Sequence, residues 1–330
     1  MNEVHILGAG RMGQGMALAF IQAGLRVSLV DVRPREPAAA ADYLGRVRQA
    51  VADELHAKQV LGRLDQAQVT TALSRLELLD RTACEPGLAG ARVIFEAVPE
   101  VLEAKRELFA WLGPRIPVEA VVASTTSTFL VSELAELIES PERFVNAHWL
   151  NPADLMPLVE VSRSERTDER AVRSMLELLE RIGKVPVVCS ASPGYIVPRI
   201  QAQAMNEAAR MVEEGVASAE DIDKAIRVGF GLRFAVLGLL EFIDWGGGDI
   251  LYYASRYLSE HLGERFACAD IVARNMAEGR NGLREGEGFY GYLGVDTQAY
   301  KAQRMREFLA LLDATGLAPR FDQALQPPVR

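Results

Sequence analysis

Cysteine is scarce in this chain, with three among 330 residues. Cys84, Cys189 and Cys268 form no metal-type spacing, and an odd number argues against a disulfide framework, so they read as reduced thiols. No long uninterrupted apolar run occurs. The most apolar late segment, residues 226–245, is broken by Arg227, Arg233, Glu241 and Asp244, too many charges for a membrane span. An excess of basic residues is also missing. The net charge of −9 speaks against general nucleic-acid binding and leaves room only for a local basic pocket. There is no internal repeat and no low-complexity tract. An apolar strand pattern begins by Val4, with no basic leader before it, which makes the cytoplasm the expected location.

What the chain does have is apolar content. Hydrophobic residues make up 49% of it, enough to bury a sizeable core in one large or two ordinary domains. Short apolar runs at Val4–Leu7, Val27–Val30, Val93–Val98, Val121–Ala123 and Val145–Ala147 alternate with longer helical patterns such as Met12–Ala23. That rhythm predicts stacked βα units and a largely parallel sheet. Leu158–Val161 and Val185–Val188 read as further strands, with a helix over 167–182 between them. After Ser192-Pro193-Gly194 the pattern turns helical almost to the end, over about 196–214, 219–228, 234–240, 247–261, 266–278 and 298–314. The expected architecture is therefore an α/β Rossmann-type doubly wound sheet over residues 1–190, followed by an all-α domain over 191–330. From about Pro319 the tail is expected to fray.

The segment "VHILGAGRMGQG" places Gly8, Gly10 and Gly13, with Arg11 and Met12, between a strand and a helix. The first glycine permits a tight turn, the second lets backbone approach a pyrophosphate, and the third allows close packing of the helix. Helix N-terminal amides then face the anion. A second strand, "LRVSLVD", ends at Asp31, eighteen residues after Gly13, where a carboxylate accepts hydrogen bonds from a ribose. The expected cofactor is NAD, because Asp31 would repel the extra phosphate of NADP. Arg33 and Arg35 follow at once, and "DVRPRE" also reads as a solvated loop.

Near the middle, "NAHWLNPADLMPLVEV" sets His148 in one apolar run and Glu160 in the next. A carboxylate among Leu158, Val159 and Val161 is costly to bury without a partner. A nicotinamide enzyme that oxidises an alcohol needs a base near neutrality, and His148 suits that role with Glu160 as its orienter. The same spacing also fits a core histidine bonded to backbone and a glutamate at a water-facing strand edge. The hydroxyl-rich turn "STTSTF" follows another strand, so Ser127 is expected beside the ligand crevice. An ordinary helix cap would look alike.

In order along the chain, "GAGRMGQGMA", "FEAVPEVLEAKRELF", "STTSTF", "HWLNPADLMPLVEV", "SPGYIVPR" and "GEGFYGY" resemble the L-3-hydroxyacyl-CoA dehydrogenase family of fatty acid metabolism. The resemblance implies that His148 is the acid/base, that Glu160 orients it, and that Ser127 contacts the substrate oxygen. It further implies that Ala97 and Glu100 lie near the nicotinamide and its ribose, with Lys105 also near the cofactor, that Asn151 borders the substrate, and that the helical domain forms a homodimer. One departure is Pro198, where acyl-CoA members generally have an asparagine before the arginine. Another is "FGLRFAVLGLLEFIDW", which looks more like the L-gulonate 3-dehydrogenase and carnitine dehydrogenase branches, whose substrates are free 3-hydroxy carboxylates. There Arg233 would clamp a carboxylate bidentately, or else serve a structural ion pair. Against this, "GRLDQAQVTTALSRLELL" resembles the helical arm of bacterial 3-hydroxybutyryl-CoA dehydrogenases, where Arg46, Arg48, Lys58 and Arg63 would meet the phosphates of CoA. The expected substrate is a small molecule, either an acyl-CoA or a 3-hydroxy acid, and a non-catalytic NADH-binding protein is a third reading.

Overall fold

Parallel strands are covered on both faces, so their residues must be apolar in both directions of the pleat. The first strand shows this in the computed structural model, which describes residues 2–318. In β1 (Glu3–Leu7), Val4 and Ile6 join one hydrophobic cluster while Leu7 joins the cluster on the other face. With β2 (Arg26–Asp31), β3 (Leu76–Asp80), β4 (Val93–Glu96), β5 (Val121–Ser124), β6 (Phe144–Trp149), β7 (Leu158–Arg163) and β8 (Val185–Ser190), it forms an eight-stranded sheet of order β3-β2-β1-β4-β5-β6-β7-β8. Strand order reverses between β1 and β4, the point at which such sheets hold ligands at their carboxyl ends. Six ladders are parallel. The ladder between β6 and β7 is antiparallel and brings His148 directly opposite Glu160.

Two helices on one face illustrate how the core is built. Helix Arg11–Gln22 buries Met16, Ala17, Phe20 and Ile21, and the Phe20 ring lies 5.4 Å from that of Phe95 and 5.7 Å from that of Trp149. Trp149 is thus a core residue. Helix Pro37–Val60 starts with proline, whose missing N–H costs nothing there, and buries a stripe of Ala40, Val47, Val51 and Leu55. Each fully buried leucine or valine in such a stripe contributes about 1.5–3 kcal/mol.

The arm that follows departs from expectation. Asp65 caps helix Gln66–Ser74 with a reciprocal capping box, but "LELLD" then forms β3 instead of continuing the helix. Pairing with β2 in parallel register, Leu76 beside Val27 through Asp80 beside Asp31, outweighs the helical pattern of the residues before it.

The chain divides into two compact units, Met1–Met205 and Asn206–Arg330, and the division falls within helix Val197–Glu213. The second unit is helical. Its helices are Ala219–Ala225, Gly231–Val236, Leu239–Gly246, Gly248–Leu262, Asp270–Ala277 and Thr297–Thr315. The segment expected as one helix over 234–240 breaks at Leu237 and Gly238, both of which take extended backbone angles. Within this unit the buried Asp244 accepts from the amides of Phe289 and Tyr290 and from the Tyr292 hydroxyl, which fixes the "GEGFYGY" loop. Among the described residues no helix is long and apolar enough to cross a membrane. The tail from Pro319 lies outside the described residues.

Candidate active site

Glycine makes the turn after β1 possible. Gly8 has φ +123°, and a Cβ there would sit 2.3 Å from the Ala97 carbonyl oxygen. A Cβ on Gly13 would sit 1.9 Å from the Gly8 carbonyl oxygen, so the third glycine lets the helix start close against the turn. Gly10 faces open space and caps helix Arg11–Gln22 without a side-chain bond. The first amides of that helix are therefore available to an anion. Beside them lies a cavity of about 500 Å³ lined by Gly8, Gly10, Arg11, Met12, Asp31, Ala97, Glu100 and Ser127, among others. Gly13 is not on its wall, consistent with a packing role. Open glycine backbone, free helix amides and a carboxylate at the end of β2 fit a dinucleotide such as NAD. Gly13→Ala is expected to raise the dissociation constant for NADH by roughly tenfold to a hundredfold, since the turn must shift to admit the methyl group; titration calorimetry measures it.

Arg33 and Arg35 also line this cavity, so the segment is more than a solvated loop. Arg35 Nε lies 2.5 Å from Asp31 Oδ2, and its guanidinium sits 4.1 Å from the centre of the Tyr43 ring. Tyr43 in turn donates to the Ala9 carbonyl, which ties helix Pro37–Val60 to the glycine turn.

Behind the cavity a cation holds two carboxylates. Lys105, 1% exposed, places Nζ 2.9 Å from each oxygen of Glu96 and 3.3 Å from Glu100 Oε2. Lys105 therefore does not line the cavity expected to hold the cofactor and reaches it only through Glu100. Glu96 is completed by the Ser124 hydroxyl and the Val98 amide. Glu100 Oε1 accepts from the Thr126 hydroxyl and from the amides of Ser127 and Thr128, at 3.0 and 2.9 Å. Partial burial works to raise the Glu100 pKa, but the Thr126 hydroxyl, Lys105 and the Thr128 amide outweigh it and hold the carboxyl below its usual range. An ionised Glu100 fixes the turn that carries Ser127.

His148 and Glu160 meet because their strands run in opposite directions. Cross-strand partners in an antiparallel ladder point to the same face, and here Nδ1 of His148 is 2.8 Å from Glu160 Oε2. His148 is 5% exposed and Glu160 0%, so the carboxylate is buried and needs further donors. They come from the chain just after Gly194. The amides of Ile196 and Val197 donate to Glu160 Oε1 at 2.9 and 2.8 Å. An ionised carboxylate only accepts, so Nδ1 donates to it, and in the neutral ring Nε2 then presents its lone pair to the Ser127 hydroxyl, 3.1 Å away. Ser127, His148 and Glu160 thus form one hydrogen-bonded line from the cavity wall into the core. The water-facing alternative for Glu160 does not hold.

Pro198 occupies the second position of helix Val197–Glu213, where no intrahelical donor is required. Its missing N–H therefore leaves no carbonyl unsatisfied. Asn151 is exposed at the start of the loop between β6 and β7. Lys184 Nζ clamps that loop through the Ala153 and Met156 carbonyls, both at 2.7 Å, and Lys58 Nζ lies 2.5 Å from Asp154 Oδ2. Lys58 is thus committed to a structural pair. Arg233 belongs to the second unit, is exposed, has its guanidinium 5.8 Å from the centre of the Phe242 ring, and forms no ion pair among the described residues.

Sequence reasoning missed Tyr195, Thr126, Asn146 and Glu96. The Tyr195 ring stacks on the His148 imidazole with centroids 4.7 Å apart and planes 11° from parallel. "SPGY" signals a turn, but nothing local says that its tyrosine returns to a strand 47 residues earlier.

The family model described as 3-hydroxyacyl-CoA dehydrogenase, NAD binding domain, matches residues 3–192, and that for the C-terminal domain matches residues 194–292. The 5-formyl-3-hydroxy-2-methylpyridine 4-carboxylate 5-dehydrogenase of Mesorhizobium japonicum is 31% identical, over 94% of this chain and 97% of its own. The 3-hydroxybutyryl-CoA dehydrogenase of Bradyrhizobium diazoefficiens is 32% identical, over 89% of this chain and 97% of its own. Among solved structures, a 3-hydroxyacyl-CoA dehydrogenase from Archaeoglobus fulgidus superposes with a TM-score of 0.75 at 30% identity, covering 96% of this chain and 100% of that one.

Proposed function

The chain belongs to the 3-hydroxyacyl-CoA dehydrogenase family, an NAD-dependent oxidoreductase family, and from that premise we propose that it interconverts an L-3-hydroxyacyl-CoA of short chain and its 3-keto form. The observation that carries the chemistry is the line of Ser127, His148 and Glu160 ending at the cavity wall. NAD bound along Gly8, Gly10, Arg11, Met12, Asp31, Ala97 and Glu100 supplies the acceptor for hydride. The chain supplies the proton chemistry. Ser127 holds the substrate oxygen beside Nε2 of His148. That nitrogen takes the hydroxyl proton as the alcohol is oxidised and returns it when the ketone is reduced. Glu160 keeps the proton of the other ring nitrogen in place and stabilises the imidazolium as it forms.

A second reading keeps this chemistry and replaces the thioester by a free 3-hydroxy carboxylate. Three observations favour it. Arg233 has no structural ion pair among the described residues, and Lys58 is already paired with Asp154 instead of free for a CoA phosphate. The Mesorhizobium relative is itself named for a carboxylate substrate. Parallel assays of NADH oxidation with acetoacetyl-CoA, free acetoacetate and 3-dehydrocarnitine decide between the two by their specificity constants. A thioester preference supports the first reading, and a free-acid preference supports the second. In the second case Arg233→Ala raises the Michaelis constant by roughly tenfold or more, and an unchanged constant removes the clamp.

The proposal includes a homodimer in the cytoplasm. The second unit leaves Ile250, Tyr253 and Tyr257 of helix Gly248–Leu262 57–63% exposed, which is apolar surface suited to a second copy. Light scattering of the purified protein tests that part.

A further inference from the structure

The one non-glycine residue with positive φ among the described residues is Tyr195, at φ 47°. Such a backbone persists only where the surroundings over-determine it, and strained positions of this kind gather at functional sites. Three contacts fix it. Its ring covers one face of the His148 imidazole at 4.7 Å. Its hydroxyl donates to the Thr126 carbonyl at 2.7 Å and accepts from Asn146 Nδ2 at 3.0 Å. The next two amides go to Glu160. One short segment therefore touches the ring of the base, the carboxylate behind it, and the turn that presents Ser127. It also touches β6 through Asn146, two residues before His148 on the same strand. Tyr195 is 6% exposed, so these contacts do not compete with bulk water.

We infer that Tyr195 is a positioning residue for the proton transfer, holding the His148 imidazole toward Ser127 by its hydroxyl bonds and favouring the imidazolium by the face of its ring. The inference rests on the reading of His148 as the acid/base. The two parts of the side chain act differently. The hydroxyl ties Thr126 to Asn146 and so sets the spacing between Ser127 and His148. The ring presents its negative face to an imidazole that becomes cationic during turnover, a favourable arrangement in a site closed to solvent. The titratable groups around the imidazole are Glu160 from β7, the Ser127 hydroxyl and Tyr195 itself, with Glu100 and Cys189 of β8 beyond them. Burial pushes the Tyr195 hydroxyl well above its ordinary range, so the phenol stays neutral throughout a working pH profile.

Two variants separate the parts. Tyr195→Phe keeps the ring and removes the hydroxyl; Tyr195→Leu keeps the imidazole face covered by apolar atoms and removes the π system. Ketone reduction is followed as NADH oxidation with whichever of acetoacetyl-CoA, acetoacetate or 3-dehydrocarnitine gives the highest specificity constant. The imidazolium donates the proton in this direction, so the rate is full at low pH and falls as pH rises. Tyr195→Phe is expected to lower kcat roughly fivefold to tenfold with the NADH Michaelis constant unchanged and the limb of the profile in place. Tyr195→Leu is expected to move that limb to lower pH by roughly half a unit. A general loss of structure would lower the rate without moving the limb. His148→Gln, run alongside, separates the two possible failures. An active His148→Gln overturns the reading of the base and the brace with it. An inert one, together with kcat within twofold of wild type in Tyr195→Phe and an unmoved limb in Tyr195→Leu, overturns the role of Tyr195 alone. Should Tyr195→Leu not fold, the split between kcat and the Michaelis constant in Tyr195→Phe decides.

Discussion

With glutamine in place of His148, turnover falls by about three orders of magnitude or more in both directions while NADH still binds with near wild-type affinity. The two halves of this result have separate structural grounds. His148 supplies the one imidazole nitrogen facing Ser127, and no other titratable base is hydrogen-bonded to that hydroxyl among the described residues. The cofactor cavity, however, is lined without it. Glutamine is chosen over alanine because its amide can still donate toward Glu160, which keeps a buried carboxylate from being left with backbone donors alone. Stopped-flow fluorescence for NADH binding and a steady-state assay for turnover measure the two effects on one preparation. Comparable turnover would remove His148 from the mechanism, and lost NADH binding would show that the substitution had damaged the fold.

Glutamine in place of Glu160 is the second large effect, and it works by moving a proton within the ring. A glutamine oxygen can still accept from the Ile196 and Val197 amides, so the side chain keeps its place. Its NH₂ then faces Nδ1 of His148 and requires a lone pair there. The ring proton shifts to Nε2, which no longer accepts a proton from a substrate hydroxyl. In a Ser-His-Asp triad the corresponding exchange costs roughly 10⁴ in turnover, and a loss of about 10³–10⁴ is expected here for alcohol oxidation. Thermal melting should change little, because volume and backbone bonds are retained. Full activity in a folded Glu160→Gln would mean that the carboxylate charge does not set the tautomer.

The sheet and the site were legible in the sequence to different degrees. Gly8, Gly10, Gly13 and Asp31 announce themselves because each has a local reason, a turn or a close approach, that short spacing reveals. His148 and Glu160 were legible as a conflict between a buried carboxylate and its apolar neighbours, and the antiparallel register resolves it. β3 was hidden because "LELLD" follows a capped helix without a break in polarity, and only its pairing with β2 makes it a strand. The resemblance sets Lys105 near the cofactor, and its ammonium touches Glu100 of the cavity wall while also holding Glu96 behind it, a distinction of depth that no sequence pattern carries. Tyr195 was invisible for the same reason. Its stacking partner lies far along the chain, and positive φ at a tyrosine has no compositional sign.

The reversal of β7 also bears on how such a protein can change over generations. Because β6 and β7 form an antiparallel pair, His148 and Glu160 are carried on one contiguous stretch, residues 144–163, joined by a short loop whose closure entropy is small. Pro198 and Arg233 lie downstream of that stretch. A change of sequence at those two positions leaves in place the register that sets His148 opposite Glu160, because that register is fixed within the hairpin itself.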